Sequence, residues 1–164
     1  MKRLAALLIV LGACGLPPEE QAERDLREAR MTDDVRRRLE LLDRAIELHP
    51  TIDAHLERAM LSEAARDPDR AIADATAAIR FVGDHPERAT LLLNRGLLYG
   101  KARRYGEADD DLSEAIKATG SPEAYLQRAW FRRQSGKTAD ADRDVAEARR
   151  GGAELADPFY NEGV

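Results

Sequence analysis

Few residues in this chain are equipped for chemistry, and their spacing limits what they can do. The three imidazoles, His49, His55 and His85, form neither a His-x-x-x-His nor a Glu-x-x-His pair on one helical face, so they build no zinc-type ligand set. His49 and His85 precede Pro50 and Pro86, where a polar loop residue is the ordinary expectation. No Gly-x-Ser-x-Gly elbow, phosphate loop or dinucleotide fingerprint is present. The run Asp109-Asp110-Asp111 could attract a cation. Consecutive helical residues point in different directions, however, so a solvated face with Asp111 turned inward is the better expectation. The single cysteine, Cys14, rules out an intramolecular disulfide and a cysteine-cluster metal site. Neither catalysis nor a bound metal or cofactor is expected.

Cys14 has a different chemistry open to it. Met1-Lys2-Arg3 is a positive leader and residues 4–11 are a short apolar run, too short to cross about 30 Å of hydrocarbon but suited to a secretory signal peptide. Leu11-Gly12-Ala13-Cys14 then resembles the lipobox of bacterial lipoproteins. That resemblance implies a signal peptide over 1–13, cleavage before Cys14 and acylation of Cys14. Residues 14–18, with Leu16-Pro17-Pro18, would be a short extended spacer. Two or three acyl chains anchor a protein firmly where one does not. No Asp follows the cysteine, which in this family favours the outer membrane, with the protein facing the periplasm.

The elements behind these residues read as helices. The chain has 164 residues, 35% charged and 5% aromatic, with 26 basic residues against 31 acidic ones and a formal charge of -5. Its mean hydropathy of -0.54 excludes a multi-span membrane protein, and the acidity argues against nucleic-acid binding. Abundant Ala, Leu, Glu, Asp and Arg favour helices because unbranched side chains lose little freedom there.

Three blocks repeat. Small residues at Ala59, Gly96 and Ala129 recur at offsets of 37 and 33. The same offsets relate Ala71, Ala108 and Ala141, and again Ala78, Ala115 and Ala148. A period near 34 with two helices per unit resembles the tetratricopeptide repeat (TPR). The fullest match is Leu92, Gly96, Tyr99, Ala108, Leu112 and Ala115, with residues 101–107 as the turn. Ser62 and Arg132 stand where Tyr99's counterparts would be aromatic, and His55 takes a packing position as a partly buried structural histidine. Ala45 to Pro50 closes a further, degenerate unit whose first helix spans about 19–31. The resemblance thus implies an all-α fold, a superhelix of tandem antiparallel hairpins in four units over 19–51, 52–88, 89–121 and 122–153. A tail follows over 154–164.

Helix packing explains the recurring residues. Small side chains at the crossing let two helices approach, and Leu92 and Leu112 fill the remaining space. Arg58, Arg95 and Arg128 precede the small residue, and Asp74, Asp111 and Asp144 lie 16 residues further on. An antiparallel hairpin predicts three equivalent pairs, Arg58–Asp74, Arg95–Asp111 and Arg128–Asp144, partly buried and structural in role.

In TPR arrays the first helix of each unit lines a concave groove. Carried over, the groove positions are Asp53, Leu56, Glu57 and Met60; Thr90, Leu93, Asn94, Leu97 and Lys101; and Glu123, Leu126, Gln127, Trp130 and Arg133. An apolar ladder of Leu56/Met60, Leu93/Leu97 and Leu126/Trp130 beside polar neighbours suits a peptide segment or an amphipathic helix, with Trp130 as an anchor. The same residues could instead pack against neighbouring helices or the tail, which carries Leu155, Pro158, Phe159 and Tyr160. Only Asn94 matches the set that clamps a C-terminal carboxylate in some TPR proteins. The expectation is a lipid-anchored periplasmic TPR adaptor mediating protein–protein interaction. Its resemblance to outer-membrane TPR lipoproteins implies a part in assembling a pilus or secretion channel. The alternative is a structural envelope lipoprotein that self-associates through its array ends or tail. Oligomeric state is left open.

Overall fold

The structure is a computed structural model that describes residues 15–153. The expected signal peptide with Cys14, and the tail 154–164, lie outside the described residues. Among the described residues, eight helices make four antiparallel hairpins: α1 (Pro18–Met31) with α2 (Val35–Leu48), α3 (Ile52–Ala64) with α4 (Pro68–Val82), α5 (Arg88–Lys101) with α6 (Tyr105–Thr119), and α7 (Pro122–Gln134) with α8 (Thr138–Arg150). Contacts divide the chain into two compact units, Met1–Ala54 and His55–Val164.

Local sequence sets the helix ends. Pro18, Pro68 and Pro122 open helices where their missing N–H costs nothing. Asp34, Asp67 and Ser121 cap α2, α4 and α7 by accepting backbone N–H groups at 3.0, 3.1 and 3.3 Å. The turns inside the last three hairpins are one device. The backbone N–H groups of Asp67, Arg104 and Lys137 each donate to the carbonyl five residues back at 2.8 Å, closing a left-handed cap. The residue before each is at positive φ: Arg66 (60°), Arg103 (59°) and Gly136 (80°). Only the third turn therefore uses the residue type that this conformation favours.

In the first unit α1 and α2 close over Ala22, Ala29, Leu41, Leu42 and Ala45, all at most 5% exposed. In the second unit each hairpin packs on the next through α4 against α5 and α6 against α7. The recurring alanines are its centre: Ala71, Ala78, Ala108, Ala141 and Ala148 are fully buried. A Cβ on Gly96 would stand 3.1 Å from Leu112 Cγ and 3.3 Å from Asp111 Cβ, so the α5–α6 crossing is as close as a glycine allows. At Gly100 the demand is stronger, because a Cβ there would fall 2.0 Å from the Phe131 ring. The longer spacing between the second and third hairpins is taken up mainly in the 83–87 connector, compared with the short 120–121 connector that follows.

Two opposite effects follow. Gly100→Ala should cost about 1–3 kcal/mol by driving Phe131 from its seat. Arg103→Gly should add about 1 kcal/mol by removing left-handed strain. Urea titrations of each variant measure both.

Candidate functional site

Asp74, Asp111 and Asp144 are 2, 6 and 3% exposed, and a carboxylate so placed must be paired. Each receives an arginine side-on. Arg58 Nε and Nη2 donate to Asp74 at 2.9 and 2.7 Å. Arg95 donates to Asp111 at 2.7 Å through both nitrogens. Arg128 donates to Asp144 at 2.9 and 2.6 Å. The remaining nitrogen reaches back to the second helix of the preceding hairpin: Arg95 Nη1 donates to Thr76 Oγ1 at 3.2 Å, and Arg128 Nη1 to Ser113 Oγ at 2.8 Å. One guanidinium thus closes its own hairpin and fastens it to the one before. The hydrogen bond to Asp111 holds the Arg95 guanidinium above its usual range against the opposing effect of burial. At Arg128 burial works to lower the value, and the Asp144 hydrogen bond overrides it.

His55 is 7% exposed and lies 2.8 Å from Asp74 Oδ1 through Nδ1, within the same buried cluster. Four further pairings were not read from sequence. Arg132, in the place of an aromatic, donates to Asp109 at 2.8 Å and to Asp144 at 2.9 Å. Lys137 donates to the other Asp109 oxygen at 3.2 Å. Asp109 therefore turns inward together with Asp111, and only Asp110 of that run is exposed. In the first unit the polarity is reversed: Arg44 on α2 donates to buried Asp25 on α1 at 3.1 Å. A cation where the repeat wants an aromatic is itself a sign that an acid must face it.

The groove residues do not all meet. A cavity of about 330 Å³ opens between α3 and α5, lined by Leu56, Met60, Asn94, Leu97 and Lys101 together with Ala59, Glu63, Ala75 and Leu98. Glu63 and Lys101 form an ion pair at its edge. Met60 is 71% exposed. Leu93, Leu97 and Trp130 pack partly on the cluster of Ala108, Leu112 and Phe131, and the Trp130 ring meets Phe131 edge-on at 5.1 Å. Glu57 and Gln127 are half-buried, and Thr90 and Glu123 are exposed. Glu123 accepts from Ser121 at 2.8 Å.

Of the remaining expected groove residues, one is covered by the core and two are ion-paired. Leu126 is 5% exposed in a core with Ala129, Ala141, Val145 and Ala148, because it sits one turn before Ala129 on the face turned to α8. Asp53 belongs to the first unit, 3.7 Å from Arg30. Arg133 is engaged with Asp142 at 3.0 Å. The expected three-rung ladder is therefore an open cavity at α3/α5 and a filled interface at α5/α7. Among the described residues no group of three or more His, Cys, Asp or Glu is placed to hold a metal ion. No helix among them is long and apolar enough to cross a membrane.

Tandem antiparallel hairpins with small residues at each crossing are an all-helical repeat fold of tetratricopeptide type. Solved structures share it. BtubC (BKLC) from P. vanneervenii superposes with a TM-score of 0.70 at 15% identity, over 92% of this chain and 72% of that one. MamA of AMB-1, itself TPR-like, gives 0.68 at 18% identity over 82% and 75%, and MamA of MSR-1 gives 0.66 at 19% over 79% and 75%. At such identities the likeness is one of fold. No protein-family model matches the chain, and no curated protein does.

Asp111→Leu should cost about 3–5 kcal/mol by stranding Arg95, and Arg95→Met with Asp111→Leu should recover much of that loss. Denaturant unfolding of the two variants measures both. Asp109 gives a pH signature. Burial pushes its carboxyl up, but hydrogen bonds from Arg132 and Lys137 outweigh this and hold it below the usual range. Its folded value is thus lower than its unfolded value of about 4. The stability it contributes is present above that pH and is lost as pH falls through the folded value. The stability gap between the wild type and Asp109→Asn, measured by denaturant, should therefore be wide at neutral pH and shrink in acid.

Proposed function

We propose that this chain is a non-catalytic interaction scaffold whose α3/α5 cavity takes an apolar side chain from a partner protein. The cavity carries the reading. It is open, walled by Leu56, Met60, Leu97 and Leu98, and edged by the Asn94 amide and the Glu63–Lys101 pair. An apolar anchor beside polar groups that fix its orientation is how such sites recognise segments of other proteins. The repeat fold adds support, since stacked hairpins supply a surface larger than either helix of a pair could.

The lipobox-like Leu11-Gly12-Ala13-Cys14 supports a place for this scaffold in the bacterial envelope, tethered through acylated Cys14 and facing the periplasm from the outer membrane. A scaffold held there would gather components of an envelope assembly such as a pilus or a secretion channel. A second reading, self-association, is favoured by Phe81, which is 51% exposed on α4 and does not line the cavity.

Met60→Glu separates the readings. Met60 is mostly exposed, so the change should alter stability by no more than about 0.5 kcal/mol. Capture of a partner from detergent-solubilised envelopes should nevertheless fall about tenfold or more. Unchanged capture would remove the groove from the mechanism. A dimer seen by light scattering, intact in Met60→Glu and lost in Phe81→Glu, would favour self-association. Mass spectrometry of the native protein should find acylated Cys14 at the N-terminus; a chain still beginning at Met1 would overturn the tether.

A further inference from the structure

A second cavity of about 280 Å³ adjoins the first and shares Glu63, Leu98 and Lys101 with it. Its remaining walls are Arg66 and Pro68. The Glu63–Lys101 pair is thus a sill between two hollows. Lys101 is 58% and Glu63 39% exposed, and an ion pair so wet contributes little stability, so it exchanges partners at small cost. The charges lining the second cavity do not balance. Lys101 and Arg66 stand against Glu63 alone. Arg66 is exposed, has no ion pair among the described residues, and has its backbone in the left-handed turn at φ 60°.

We infer that the segment bound here carries a side-chain carboxylate next to its apolar anchor. The anchor enters among Leu56, Met60 and Leu97, and the carboxylate takes Lys101 from Glu63 with Arg66 beside it. An incoming cation would gain Glu63 but would face both Lys101 and Arg66, so a basic segment is disfavoured by the same wall. The inference rests on the groove reading above and adds to it the charge of the partner.

The test uses the full chain in detergent with 13C-methyl methionine and three capped peptides: acetyl-Leu-Phe-Glu-Glu-amide, acetyl-Leu-Phe-Gln-Gln-amide and acetyl-Leu-Phe-Lys-Lys-amide. The Met60 methyl reports the cavity. Met31, 86% exposed in the first unit, reports non-specific contact and should stay unmoved. The acidic peptide should shift Met60 at concentrations about fivefold lower than the glutamine peptide, with the lysine peptide weakest. Lys101→Gln with Arg66→Gln should erase that order while the glutamine peptide still binds. Equal binding by all three, or preference for the lysine peptide, would overturn the carboxylate and leave the groove standing. No shift of Met60 with any peptide would overturn the groove reading and the inference with it.

Discussion

The second unit is organised by buried carboxylates that cannot be left alone. An aspartate in the middle of α4, α6 or α8 is ionised in water, and moving it inside a helix pair without a partner would cost several kcal/mol. A planar guanidinium answers that demand with two parallel hydrogen bonds, which fix distance and orientation together. Only one relative placement of the two helices satisfies both bonds, so the pair sets the register of its hairpin. At Arg95 and Arg128 the third donor carries the same constraint to the neighbouring hairpin, through Thr76 and Ser113. An apolar pair could fill the same volume, but it would tolerate sliding that the fork-to-carboxylate geometry does not.

The close approach this register requires is possible only because the crossing residues are small. Ala71, Ala108 and Ala141 have no exposed surface, and a methyl group on Gly96 would stand only 3.1 Å from Leu112. Close packing also transmits each local choice to the next hairpin. Phe131 lies over Gly100, so a glycine on α5 exists for the sake of an aromatic on α7. Where Arg132 replaces the expected aromatic, the space is held by charge, with Asp109 and Asp144 on either side. Aromatic and ionic fillings are alternatives at one position, and each brings its own neighbours.

The fold was legible because its signals are periodic. Small residues recurring at fixed offsets report a helix crossing without knowledge of what lies between, and an Arg and Asp 16 residues apart share facing turns of a short hairpin. The Arg132–Asp109 contact was harder to see, because it spans two hairpins and appears in one interface only. Asp25–Arg44 was hidden for a related reason: the first hairpin puts the acid on its first helix and the arginine on its second, so alignment with the later units sets neither residue opposite its counterpart. The groove was partly legible. A helix face assigned by position does not say which of its residues a neighbour covers, and Leu126 shows the consequence, since α8 covers a leucine whose counterparts Leu56 and Leu93 are only half-buried.

The cavity itself is a matter of residue size at corresponding positions. Leu97 and Leu98 on α5 stand one repeat before Trp130 and Phe131 on α7, and Ala75 on α4 stands one repeat before Leu112 on α6. At the α5/α7 interface the three larger side chains meet in one cluster. At the α3/α5 interface their smaller counterparts leave about 330 Å³ open. The opening coincides with three positions that carry smaller side chains than their counterparts one repeat later. Apolar walls without an occupant forgo dispersion contacts that a filled interface enjoys. A fold that can fill this space with an indole and a phenyl ring, and does so one repeat later, leaves it open here at a cost in stability that a bound side chain would offset.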